Sequence, residues 1–473
     1  MSKESILKKI AEAKAKAEKA ISSNASSSET TMAIESLLLI IEILATIFLE
    51  KKTRKNSSNS GLPPSRNEGP NGNRNINVTQ RKMLGSQVGH TKNTETQEII
   101  SPKKCKQCNC DLSKEKAKGK ESRKSIDIIY EVVTHTFVAE MKECPDCGHI
   151  NKGKFPDGIE GEVQYGNGIK TSILNFLMVQ MMSLERVQEH LNGIIGRCIS
   201  QAVMLKYVMQ LSLALEEWEK KQIEKLLLAT VIHCDETSIR VNKVNHWIHS
   251  YSTGEITLLL LHPKRGKEAI DEFCIIPKYG GTIVHDCWAS YLSYKNTGHA
   301  LCGGHLLREL KFIEDSVKYQ WATKMKRLLQ QTCNIVNRRF KTKKLTEQEY
   351  KKLQSMYRII LDEGKNEMPP FPEKTGKRGK VKCTDAQNLW LRLSKHESSV
   401  LMFARVKEVD FTNNRAERDL RSSKLKQKVS GCFRTFEYAK HFCRISSYVK
   451  TMRYKGYSSF EAISLAVQGN IPD

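Results

Sequence analysis

Three acidic residues occur where the surrounding sequence pattern could bring carboxylates together. Asp235 follows the strand-like residues 230–232, Asp286 ends the buried run 282–285, and Glu417 lies on a later basic helix. Grouped carboxylates repel one another unless a cation binds them. Two Mg²⁺ ions held by such acids activate an oxygen nucleophile and stabilise a leaving oxygen at a phosphodiester. The three acids therefore suggest metal-dependent phosphoryl transfer on DNA, although each one alone also fits a turn, a cap or a surface ion pair.

The elements around these acids are typical of an α/β fold. Their order is three strands, a helix, a buried strand and a short strand that leads into a helix, at residues 229–241, 245–252, 255–263, 266–274, 280–288, 299–303 and 304–315. This order predicts a ribonuclease H-like core. In such a sheet the strands that carry Asp235 and Asp286 lie side by side, and the helix of Glu417 crosses the same edge.

The helix that carries Glu417 is strongly basic. Glu417, Arg421, Lys424 and Lys428 are spaced by four, three and four residues, which places them on one helical face. We expect DNA contacts from the basic and amide side chains of this helix: Asn413, Asn414, Arg418, Arg421, Lys424 and Lys428. The net charge of the whole chain, +25, also favours a polyanionic partner. A solvated basic face is the alternative interpretation of this pattern.

Four of the fourteen cysteines form two Cys-x-x-Cys pairs, Cys105 with Cys108 and Cys144 with Cys147. Two such pairs can bind one Zn²⁺ tetrahedrally, with Cys110 and His149 as substitute ligands and unrelated thiols as the alternative. A closed four-cysteine site leaves no position for water, so this predicted ribbon would recognise DNA ends or stabilise the fold. The charged start of the chain predicts no signal peptide. We expect a cytoplasmic, nucleoid-associated protein whose thiols are reduced.

The composition changes along the chain and predicts seven segments. Residues 1–55 are helical in pattern, with a possible coiled coil that would make a homo-oligomer. Their apolar run 37–49 is too short for a membrane span and contains Glu42. The remaining segments are a disordered linker (56–100), a zinc ribbon with strands near 126–141 (101–158), a helical DNA-binding candidate (159–228), the first part of the core (229–314), a helical insertion (315–405), and the completion of the core with basic C-terminal helices (406–473).

Several segments, taken in order, resemble transposases of the insertion-sequence-66 family. They are residues 55–68, the knuckles CKQCNCDL and CPDCG, and residues 233–253, 284–310 and 411–435. The resemblance implies a DDE-type enzyme in which Asp235, Asp286 and Glu417 hold two Mg²⁺ or Mn²⁺ ions. It also implies DNA partners, namely the element ends and the target, and makes accessory proteins of the same element plausible.

Cys302 and His305 resemble the CxxH signature that follows the second Asp of many DDE transposases. We therefore expect His305 near the active site, where it would orient a water or a phosphate. A structural histidine that caps a helix is the other interpretation. The function predicted for the whole chain is a DNA transposase that cleaves and joins element ends. The alternatives are a non-catalytic zinc-ribbon DNA-binding protein and a plain metal-dependent nuclease.

Overall fold

A computed structural model describes residues 98–125, 131–339, 342–372 and 382–473. The expected helical segment 1–55, its proposed self-association and nearly all of the expected linker 56–100 lie outside the described residues. The described residues divide between two compact units, one ending at Val138 and the other beginning at Ala139. The fold of the larger unit is mixed α/β.

Among the described residues of the β-branched stretch expected to form strands near 126–141, only Met141 lies in a strand. Residues 131–140 form no strand, whereas β1 (Met141–Glu143) pairs with β2 (Ile150–Lys152) in a short antiparallel hairpin. β-branched residues make a strand only when a neighbour completes the ladder and one face is packed. Val133 and Val138 are 66% and 83% exposed, so neither is packed.

In the part of the chain that the structure describes, four helices precede the central sheet: α1 (Asn167–Met178), α2 (Leu184–Ile195), α3 (Gln201–Ala214) and α4 (Glu216–Leu227). The hydroxyls of Ser183 and Ser200 accept backbone N–H groups at the starts of α2 and α3. Gly196 ends α2 in the left-handed conformation. These helices lie in the region 159–228, which the sequence pattern predicted to be helical.

The central sheet has five strands in the order β5-β4-β3-β6-β7. Their bounds are β3 (Val231–Val241), β4 (Val244–Ser252), β5 (Thr257–His262), β6 (Thr282–His285) and β7 (Gly298–Leu301). β3, β4 and β5 are antiparallel, whereas β6 and β7 run parallel to β3. Helix α5 (Lys267–Phe273) connects β5 to β6. The sheet is therefore mixed, with the antiparallel half first in the chain.

Helices cover both faces of this sheet. Ile232 and Ile283 belong to one apolar core, and Val231 and Val284 belong to a second core on the opposite face. Side chains alternate between faces along a strand, so the near-continuous burial of β3 follows from this double cover.

The elements described after β7 are helical. Those between β7 and the last long helices are α6 (Gly303–Ser316), α7 (Gln320–Arg338), α8 (Glu347–Glu367), α9 (Asp385–Lys395), α10 (Glu397–Val400) and α11 (Met402–Arg405). The chain then forms α12 (Asn414–Ser430), α13 (Phe436–Tyr454) and α14 (Ser459–Val467). No helix among the described residues is long and apolar enough to cross a membrane.

Candidate active site

Two of the three acids predicted from the sequence lie at equivalent levels of neighbouring strands. β3 and β6 are parallel, with Val231 opposite Thr282 and His233 opposite Val284. The same register, continued by two residues, sets Asp235 beside Asp286, which directly follows β6. The charge of Asp286 raises the pKa of Asp235, so the two carboxylates lie near each other.

A tight turn holds Asp286 at the end of β6. Its Oδ1 accepts the backbone N–H of Trp288 at 3.1 Å, and Cys287 has a positive φ of 70°. The N–H of Cys287 donates to Nδ1 of the buried His285 at 3.1 Å. Burial, followed by repulsion from His299, lowers the pKa of His285 to about 3. The imidazole of His285 is thus neutral, as its acceptor role in this turn requires.

Asn413 positions the third acid, Glu417, because it bonds the start of the helix of Glu417 to β3. The Asn413 side chain is buried, and its amide nitrogen donates to the carbonyl oxygen of Cys234 at 2.7 Å. Its amide oxygen lies 3.0 Å from Nδ1 of His233. These bonds fasten the start of α12 to the two residues that precede Asp235. Glu417 lies one helical turn further along α12 and donates its N–H to the carbonyl of Asn413 at 3.3 Å.

The electrostatics of Asp235 show that the acids lie close enough to repel one another. Burial raises the pKa of Asp235 well above its usual range, and the charges of Glu236, Asp286 and Glu417 raise it further. Oε1 of Glu417 is buried without a hydrogen-bond partner among the described residues. A site with several carboxylates and an unsatisfied buried oxygen suits a hard divalent cation, which prefers oxygen ligands.

His305 lies in the first turn of α6, close to Glu417. Its Nδ1 is 3.7 Å from Oε1 of Glu417, and Nη2 of Arg308 is 3.8 Å from the same oxygen. Burial, and then the charge of Arg308, lowers the pKa of His305. The imidazole is therefore predominantly neutral at neutral pH and can exchange hydrogen bonds with a water or a phosphate oxygen.

The start of α6 is packed tightly against the segment that precedes α12. A methyl group added to Gly303 would meet the ring of Phe411 at 2.3 Å, and the N–H of Gly303 donates to the carbonyl of Phe411 at 2.7 Å. Only glycine permits this approach. The small residue after Cys302 therefore has a structural reason that the sequence did not reveal.

Sequence reasoning missed a second acid next to Asp235. The Glu236 side chain is buried on the opposite face of the sheet, where it accepts hydrogen bonds from Arg265 at 2.9 and 2.5 Å and from the Tyr291 hydroxyl at 2.9 Å. The Arg265 guanidinium lies 5.0 Å from the ring centroid of Trp247 and 4.4 Å from that of Trp288. This ion pair between the buried Glu236 and the partly exposed Arg265, together with its cation–π contacts, links the backbone beside Asp235 to the turn after Asp286. The only sequence signal was the adjacent acid in the DET motif.

Residues 162–441, more than half of the chain, match the family described as Transposase IS66 family. The chain belongs to this transposase family. No curated protein matches the chain. The matched region contains all three acids and His305 but neither cysteine knuckle.

The basic residues of α12 in this transposase differ in how they are placed. Asn414, Arg418, Arg421 and Lys428 are exposed. Lys424 is exposed as well, but its ammonium group donates hydrogen bonds to Ser238, to its carbonyl oxygen and, at 3.3 Å, to its hydroxyl. Asn413 is buried and bonded within the protein, so its side chain positions the helix rather than facing a partner.

The two cysteine knuckles have the same backbone conformation. The knuckle of Cys105 lies in the smaller unit and that of Cys144 in the larger one. The carbonyl of Cys105 accepts the N–H of Asn109 at 3.0 Å, and that of Cys144 accepts the N–H of Gly148 at 2.9 Å. Asn109 and Gly148 both have positive φ, 61° and 68°. Backbone N–H groups within each turn lower the pKa of Cys105 and of Cys144. Both turns thus favour a thiolate, which is the form that binds metal.

Proposed function

We propose that this protein is a DDE-type DNA transposase in which Asp235, Asp286 and Glu417 hold the catalytic metal ions. The observation that carries the proposal is the in-register position of Asp235 and Asp286, with Glu417 brought alongside them by Asn413. The raised pKa of Asp235 and the unsatisfied oxygen of Glu417 support the proposal. A bound cation would offset the repulsion between the acids and would give the Glu417 oxygen a ligand contact.

Asp235, Asp286 and Glu417 would hold two Mg²⁺ or Mn²⁺ ions, which would supply an activated oxygen nucleophile and stabilise the leaving oxygen. The chain's own residues position the reacting groups. The neutral imidazole of His305 orients a water or a phosphate oxygen beside Glu417. Arg265 forms an ion pair with Glu236 and offsets part of the charge that this second buried acid adds beside Asp235.

The strand order supports a ribonuclease H-like core. Three antiparallel strands followed by two parallel ones are the arrangement we infer for this core. Helices α7–α11 then form an insertion before the helix of Glu417. On this basis the core comprises residues 229–314 and 406–473, and the helical insertion comprises residues 315–405.

DNA is the proposed partner, both as element ends and as target. The exposed side chains of Arg418, Arg421 and Lys428 share α12 with Glu417, so phosphate contacts there would hold the backbone near the acids. Zinc binding by the cysteine knuckles, self-association, accessory proteins and location at the nucleoid stay predictions from the sequence.

The test uses Asp235→Asn, Asp286→Asn and Glu417→Gln, with the exposed Glu255→Gln as the matched control. Each active-site variant should lose strand cleavage of element-end DNA in Mg²⁺ by roughly 1,000-fold or more while it still binds that DNA. Glu255→Gln should cleave normally.

Three outcomes would contradict the proposal. An active-site variant that cleaves at the wild-type rate removes that residue from the site. Wild-type protein that cuts DNA without joining strands is a nuclease. Wild-type protein that binds DNA and never cuts it is a DNA-binding protein.

A further inference from the structure

Cys302, His305 and Glu417 form a second potential metal site that overlaps the proposed catalytic one. One ligand atom from each residue, namely a sulfur, a ring nitrogen and a carboxylate oxygen, lies within 4.8 Å of the other two. Nδ1 of His305 and Oε1 of Glu417 are 3.7 Å apart. Ligands of a tetrahedral zinc ion lie about 2.0–2.3 Å from the metal, which separates them from each other by roughly 3.3–3.7 Å. The cluster is therefore close to a zinc-binding arrangement.

Two of these three donors are unsatisfied in the protein. Nδ1 of His305 and Oε1 of Glu417 are both buried without a hydrogen-bond partner among the described residues. Leaving a buried polar atom unpaired destabilises the folded protein. A cation between the two atoms would satisfy both.

The third donor, Cys302, is held rigidly in place. Its side chain is buried, it ends the connection from β7 into α6, and its sulfur accepts the N–H of Asn413 at 3.1 Å. Its own N–H donates to the carbonyl of His285 at 2.8 Å. The sulfur is thus fixed between the strand that leads to Asp286 and the start of the helix of Glu417.

The donor chemistry differs from that of the three acids. Mg²⁺ prefers oxygen ligands, whereas a sulfur, an imidazole and one carboxylate suit Zn²⁺ and similar cations. We propose that Cys302, His305 and Glu417 bind a thiophilic divalent cation of the Zn²⁺ type, and that this cation withdraws Glu417 from Asp235 and Asp286. On binding, the Cys302 thiol releases its proton to solvent and the sulfur forms a bond to the metal, with no change in oxidation state. The side chains of His305 and Glu417 are about a quarter exposed, so water can fill a fourth position.

Glu417 cannot serve both sites fully at once. The site of three acids needs this carboxylate for Mg²⁺, and the second site needs it for Zn²⁺. Zn²⁺ would therefore act as an inhibitor, an effect that rests on the proposed function. Metal binding by the second site does not rest on it.

The binding test uses the full-length chain titrated with Co²⁺, whose bond to a thiolate gives a near-ultraviolet absorption band. The wild type is compared with Cys302→Ser, and the control is Cys333→Ser, which alters a half-buried cysteine that accepts one N–H from Asn337. The cysteine knuckles contribute equally to all three proteins. Wild type and Cys333→Ser should bind about one more Co²⁺ per chain than Cys302→Ser. Equal bands in all three proteins would overturn the proposal.

A second variant covers the case in which Cys302→Ser does not fold. His305→Gln removes a different ligand and should also weaken the Co²⁺ band, while the melting temperature in metal-free buffer reports on folding. An unchanged band in folded His305→Gln would exclude the imidazole as a ligand and overturn the three-residue site.

The inhibition test adds Zn²⁺ to a Mg²⁺-dependent cleavage reaction. Wild-type cleavage should fall about tenfold, and cleavage by Cys302→Ser should fall much less relative to its own rate without Zn²⁺. If the wild type binds Co²⁺ at this site but Zn²⁺ does not inhibit cleavage, the proposal that the cation withdraws Glu417 from Asp235 and Asp286 is wrong. If the wild type never cleaves DNA, the proposed function fails, whereas the Co²⁺ titration still decides whether this metal site exists.

Discussion

Polar side chains are buried at the start of α12 and exposed to solvent further along it. At its start, Asn413 is buried and bonded to His233 and to the backbone of Cys234, which holds Glu417 near the sheet. Further along, Arg421 and Lys428 are exposed to solvent. The difference shows that one helix can combine a rigid site with an open cationic surface. Position relative to β3, rather than residue type, separates the two roles.

Asn413→Ala should have the largest effect, both on folding stability and on DNA cleavage. The substitution leaves a buried carbonyl without its donor, which costs about 1–3 kcal/mol of folding stability. It also releases Glu417 from its position, so cleavage of element-end DNA should fall about 100-fold with little loss of DNA binding. Asn414→Ala, which alters the exposed neighbour, is the control and should leave thermal stability unchanged. Normal cleavage by folded Asn413→Ala would mean that this asparagine does not position Glu417.

A smaller effect is expected from the exposed end of the helix. The double variant Arg421→Gln with Lys428→Gln should weaken binding to end DNA and to random DNA by similar factors, because phosphate contacts carry no sequence information. The log–log salt dependence should become shallower by roughly 0.9 for each lost contact.

The matched control for that variant is Lys424→Gln, because the Lys424 ammonium already donates to Ser238. It should change the salt dependence less than substitution of Arg421 or Lys428 does. If the double variant lost affinity for end DNA alone, α12 would recognise the DNA sequence rather than contact only the phosphate backbone of DNA.

The smallest effect concerns the stability of the metal-free protein. The pKa of Asp235 is raised by burial and by the neighbouring acids, so the folded state favours the protonated carboxyl. This contribution to stability is present below the usual carboxyl pKa and is lost as the pH rises through the raised pKa. In a chelator at neutral pH, Asp235→Asn should therefore melt a few degrees above the wild type, as measured by circular dichroism. Added Mg²⁺ should stabilise the wild type and not the variant. A lower melting temperature for Asp235→Asn in the chelator would show that the acids do not repel one another.

The strands and helices of the sheet region could be predicted because their signals are local. Residues 229–315 contain runs of apolar and β-branched residues separated by turns, and the seven predicted elements occur there in the predicted order. The stretch 131–140 has the same composition but forms no strand, because pairing with another strand is not a local property. The family was also predictable, since its motifs are short segments in a fixed order.

The residue types that could do the chemistry were determined by the sequence alone: three acids, a histidine, two cysteine knuckles and a basic helix. Only the tertiary structure decided which of them meet. The parallel register of β3 and β6 sets Asp235 beside Asp286, and Asn413 is buried because the start of its helix lies against β3. Spacing along α12 predicts a shared face for Glu417 and Lys424. It cannot predict that Ser238 accepts a hydrogen bond from the Lys424 ammonium group. Contacts between residues nearly 200 positions apart depend on how the chain packs, and local sequence patterns carry no information about that packing.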